Sequence, residues 1–142
     1  MLNLFLLAAL LSLVATLCYL NIRTPGRPLP PSYRDRGCME RAWHERFPNA
    51  QEEDIHRFLH VFAVQAFGFR EAHCLSFSPD DRVMSVFSEL HPPSSRIDDF
   101  ELENFGMAVE NEFGIDLANA KLWREDATLG EIFAATRKTA VG

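Results

Sequence analysis

The sequence predicts an all-α protein, a small helical bundle preceded by one transmembrane helix. Three observations carry that prediction. Residues 2–22, "LNLFLLAALLSLVATLCYLNI", hold no charged side chain and have the length of a bilayer-spanning helix. Apolar residues recur at helical spacing over 55–66, 102–113 and 129–133. Asn49 with Glu52 and Thr128 with Glu131 have the spacing of capping boxes that open helices.

The chain divides into an anchor over 1–22, a Pro/Arg-rich linker over 23–37 and an acidic helical domain over 38–142. The first positive charges all follow the apolar run, so the positive-inside bias places the C-terminal side in the cytoplasm. A signal peptide fits poorly, because no basic residue precedes the run and it ends in bulky Cys18-Tyr19-Leu20. The expected location is therefore the inner membrane, single-pass, with the lipid bilayer as a partner through residues 2–22. The linker, "RTPGRPLPPSYRDRG", holds four of the eight prolines and reads as stiff and extended. Its arginines fix topology or rest on anionic lipid.

The net charge of −6 hides an asymmetry. Residues 21–37 carry Arg23, Arg27, Arg34 and Arg36 against Asp35, net +3, whereas residues 38–142 come to −9. So acidic a domain should repel nucleic acid, which requires a basic face. A basic protein partner suits it. Cys18, Cys38 and Cys74 are odd in number and irregularly spaced, so they indicate no disulfide framework and fit a reducing compartment.

Within the domain, Met39, Trp43 and Phe47 recur every fourth residue before Pro48 and predict a short amphipathic helix. Ile55, Phe58, Leu59, Phe62 and Ala66 share one face of a second helix, capped by Asn49 and Glu52 and ended by Gly68. Residues 70–97 are irregular and read as a long structured connection with about one helical turn. Asp98 or Asp99 then caps a helix running to about Phe113, with Gly114 as its stop. Leu102, Phe105, Val109 and Phe113 form its core stripe. Ile115, Leu117, Leu122 and Trp123 are further core candidates. Thr128 opens a last helix carrying Leu129, Ile132 and Phe133.

From Asp98 to Asp116 the chain carries seven carboxylates and no Lys or Arg. On the wheel, Phe100 and Met107 fall almost opposite the core stripe. Asp99, Glu103 and Glu110 flank them on one side, Asn104 and Asn111 on the other. Apolar anchors beside carboxylates suit docking: the charges speed and orient encounter, and the desolvated anchors supply affinity. Asp99, Phe100, Glu103, Met107 and Glu110 are thus the candidate partner-binding residues. An ordinary solvated helix face is the competing reading.

The stretch "NFGMAVENEFGIDL", a spacer and "ATLGEIF" resemble the second half of an acyl carrier protein. There a helix of the form V-E-L-V-M-A-L-E-E-E-F leads into a short apolar piece and T-V-G-D. The likeness covers about 50–138. More narrowly, "IDDFELENF" resembles a bacterial group of the carrier-like superfamily, a domain of unknown function with an Asp-Asp pair at this helix start. The resemblance implies a four-helix bundle and a partner-docking face on this helix. It also exposes a departure. Asp98, Asp99 and Phe100 stand where a carrier has Asp-Ser-Leu, and a carboxylate cannot accept phosphopantetheine, which needs a hydroxyl oxygen. Ser94 and Ser95 are displaced by four or five residues. The expected function is a membrane-anchored, non-enzymatic interaction module with a degenerate carrier-like domain. A working carrier modified on Ser94 or Ser95 is the alternative.

No catalytic constellation stands out, and no cofactor or metal is expected. His56 and His60 are spaced to bind zinc on one helix if a third ligand arrives, but H-E-x-x-H is absent and both border the core stripe. Cys74 beside His73 reads as a small buried residue. Asp80-Asp81 reads as a turn or cap.

Overall fold

The structure, a computed structural model, describes residues 2–23, 26–93 and 100–141, with side chains over 4–19, 26–93 and 100–139. The described residues are mostly helical and form no strands. Two isolated bridges, Arg27 with Phe69 and Arg82 with Thr128, are the only β-type pairings among them. Ser94, Ser95, Asp98 and Asp99, including the expected cap of the acidic helix, lie outside the described residues.

Helix α1 (Leu2–Arg23) covers the apolar run. The expectation of a membrane span is not met: among the described residues no helix is long and apolar enough to cross a membrane. Ser12 and Thr16 interrupt the apolar surface, the Thr16 hydroxyl donating to the Ser12 carbonyl. The single-pass topology and the inner-membrane address rested on that span and fall with it.

Residues 26–37, expected as an extended linker, are docked on the domain instead. They include a single turn, α2 (Pro31–Arg34), and bury Leu29 and Tyr33 in the core. The Arg27 amide donates to the Gly68 carbonyl at 2.7 Å. Gly26 is required at this crossing, since a Cβ there would lie 2.8 Å from the Arg70 nitrogen. The arginines find protein carboxylates rather than lipid: Arg27 pairs with Glu101 and Arg36 with Asp81.

Helix α3 (Glu40–Arg46) brings Trp43 fully inside, and its indole N–H donates to the Phe77 carbonyl at 2.8 Å. Helix α4 (Glu52–His60) runs without a break into a π-helical stretch, Val61–Ala66. Ile55, Phe58, Leu59, Phe62 and Ala66 are all buried, as their spacing predicts. The Asn49–Glu52 capping box does not form; Gln51 holds the cap position and makes no side-chain cap bond. A short 3-10 segment (Glu71–Ser76) leads to helix α5 (Val83–Leu90), longer than the single turn expected in this connection. Helices α6 (Phe100–Phe113) and α7 (Leu129–Val141) complete the bundle.

The core is a chain of rings. Phe133 of α7 meets Trp43 and Phe47 edge-on at 5.6 and 4.9 Å between centroids. Phe62 meets Phe77 and Phe105 at 5.1 and 5.3 Å. Edge-to-face pairs of this kind add to the gain from burying the ring area.

Candidate functional site

Helix α6 positions the candidate site. Its sequence is rich in residues that tolerate the helical backbone, and Gly114, at φ 70°, stops it with its amide on the Glu110 carbonyl. Leu102, Phe105 and Val109 are buried and Phe113 is half-buried. On the opposite face Phe100 is 64% exposed and Met107 59%. The wheel's division of apolar residues into two faces therefore describes the helix, with Phe113 at the boundary.

The acids of this stretch separate by partner. Glu101 turns inward, and one of its oxygens accepts from Arg27 Nη1 and His91 Nε2, both at 3.0 Å. Burial pushes this carboxyl up, but its own backbone N–H, Arg27 and His91 outweigh that and hold it below the usual carboxylate range. Glu112 pairs with Arg57, whose guanidinium also lies over the Phe113 ring. Asp116 caps the following turn by accepting from the amides of Ala118 and Asn119. Glu103 and Glu110 are exposed and, among the described residues, have no ion-pair partner. They are the two acids that flank Met107.

Glu103, Met107 and Glu110 line a groove of about 260 Å³ with Leu102, Gly106, Asp116, Leu117 and Trp123. Phe100 lies on the same face, about two turns from Met107, outside the groove lining. Asp99 lies outside the described residues, so the geometry covers the other four predicted residues. Trp123, expected in the core, is 45% exposed and forms part of the groove, while Ile115 and Leu117 are buried and Leu122 half-buried. Asp116 and Trp123 were not predicted at the site. They reach it only because residues 115–127 fold back along α6, and no residue spacing encodes that return. The groove offers an apolar floor, an indole face and a carboxylate rim, which suits the stem and head of an Arg or Lys side chain. It presents no nucleophile with an adjoining base.

The other constellations resolve into structural roles, with one exception. Burial, then the charge of Glu71, pushes the Cys74 thiol up to about 12, so this cysteine is protonated and inert. Asp81 accepts from the Ser78 amide and pairs with Arg36; Asp80 pairs with Arg46. His60 turns to Glu71 at 2.7 Å. His56 instead faces Glu52 and Glu40, a set of metal-ligating atoms within 4.8 Å of one another.

No family model, no curated protein and no solved structure matches the chain.

Proposed function

We propose that this chain is a non-enzymatic interaction module that docks a basic protein partner on the exposed face of α6. The observation that carries the reading is the pair Glu103 and Glu110, without ionic partners among the described residues, about one turn before and one turn after exposed Met107 and on the same side of it. Every other described acid of the stretch is used internally by an arginine, a histidine or a turn. A carboxylate rim around apolar side chains favours a partner that brings Arg or Lys to the rim and apolar surface to Phe100 and Met107. The resemblance to carrier proteins supports the same face. The Asp98-Asp99-Phe100 sequence makes the domain a degenerate member of that superfamily, one that docks without carrying an acyl group.

The test is a photo-crosslinking amino acid at position 107 in the full chain, in cells. The expected result is a discrete adduct with a protein that presents a basic surface, lost on Glu103→Lys with Glu110→Lys and retained on Glu53→Lys. An adduct indifferent to charge reversal on α6 overturns the docking face. A phosphopantetheine mass gain on Ser94 or Ser95, after co-expression with a phosphopantetheinyl transferase, would replace this reading with a working carrier.

A further inference from the structure

Helices α3 and α4 each place a Glu–His pair four residues apart. Glu40 and His44 stand on α3, Glu52 and His56 on α4. Such spacing puts both members of a pair on one helix face. The two helices are joined by the turn around Phe47–Gln51, where the Ala50 amide donates to the Phe47 carbonyl. One ligand atom each from Glu40, Glu52 and His56 lies within 4.8 Å of the others. His44 Nε2 is 3.8 Å from the Glu40 carboxylate, and His56 Nε2 is 3.7 Å from that of Glu52.

We propose that Glu40, Glu52 and His56 form a binding site for a divalent transition-metal ion of the zinc class, with His44 within reach as a fourth ligand. Two carboxylates converge here from different helices, and among the described residues no Arg or Lys pairs with either. Arg41 is taken by Glu45 and Arg46 by Asp80. Among the described residues the ionic partners of Glu40 and Glu52 are histidines, which are themselves metal ligands. Zinc–nitrogen and zinc–oxygen bonds of roughly 2.0–2.2 Å set tetrahedral ligand atoms about 3.4 Å apart. Closing from 4.8 Å needs only side-chain rotation, and these side chains are 39–61% exposed and free to turn. The backbone beneath them is fixed, because fully buried Trp43 and Phe58 pack α3 against α4 with ring centroids 6.1 Å apart. An imidazole in the set selects transition ions over magnesium and calcium, which take oxygen ligands. Two carboxylates balance the charge of the ion, and the exposed side leaves room for water. The metal would tie α3 to α4 across their turn.

The test uses the full chain stripped of metal, titrated with Zn²⁺ against a chromophoric chelator and, separately, with Co²⁺ followed by its visible absorption. The expected result is saturation at one equivalent, with no competition from excess Mg²⁺ or Ca²⁺. Loss of an outer-shell partner already weakens metal sites by roughly 10–100-fold, so His56→Ala and Glu52→Gln should each weaken binding at least that much. Glu40→Gln should weaken it too and abolish the zinc-induced rise in melting temperature, whereas His60→Ala should leave both unchanged. These positions are on the surface, so the metal-free variants should melt with the wild type. Absence of saturable binding overturns the site. So does binding that survives Glu40→Gln, which would reduce it to a pair on one helix, or binding that depends equally on His60.

Discussion

At the scale of the residue, two phenylalanines five positions apart on α6 do opposite work. Phe105 is fully buried against Phe62, and Phe100 projects into solvent. Phe105→Ala removes a ring from a close-packed cluster and should lower unfolding free energy by about 3–5 kcal/mol in urea titration. Phe100→Ala removes little buried area and should stay within about 0.5 kcal/mol of wild type. A large loss from Phe100→Ala would mean that the residue packs rather than waits for a partner. This division was legible from the sequence because it depends only on the 100° step of the helix. Trp123 was not legible: its hydrophobicity points inward, and its exposure follows from where the 115–127 segment turns, a tertiary outcome that local pattern does not contain. The approach of His56 to Glu40 was hidden for the same reason, since it brings together residues of two helices.

At the scale of the element, two capping boxes with equal sequence credentials had different fates. Thr128 and Glu131 form theirs in both directions: the Thr128 amide donates to the Glu131 carboxylate at 2.9 Å, and the Glu131 amide to the Thr128 hydroxyl at 3.2 Å. The Thr128 backbone N–H, aided by Arg124, holds the Glu131 carboxyl below its usual range. Thr128→Ala should therefore cost about 1 kcal/mol, measured by thermal or urea unfolding. Asn49 forms no such bond, because Phe47 and Ala50 pack against the core and the turn they make hands the cap position to Gln51. The same contest explains α5. Its Val83, Val86 and Phe87 are β-branched or aromatic, residue types that favour extended chain. Burial of one face against the core and the pairing of Arg82 with Thr128 override that preference. Helix α1 shows the converse, since its helical state was legible and its expected role was not.

At the scale of the whole molecule, the segment 26–37 closes the bundle through Leu29, Tyr33 and the Arg27–Glu101–His91 cluster. Because Glu101 titrates below its ordinary value in the folded protein, its contribution is present above about pH 4.5 and lost as pH falls through the depressed value. Glu101→Gln should cost about 1.5 kcal/mol at pH 7. The gap between variant and wild type in urea midpoint should shrink on acidification below pH 4.5; a constant gap would remove Glu101 from the acid response. The same closure orders events on the ribosome. Arg27 is made 74 residues before Glu101, and Trp43 long before the Phe133 ring that packs on it. While synthesis has not yet reached α6, Arg27 has no Glu101 to meet and the ring cluster has an open side. The nascent chain should thus acquire its compact form late and in a single step, once the acidic helix and α7 have both emerged.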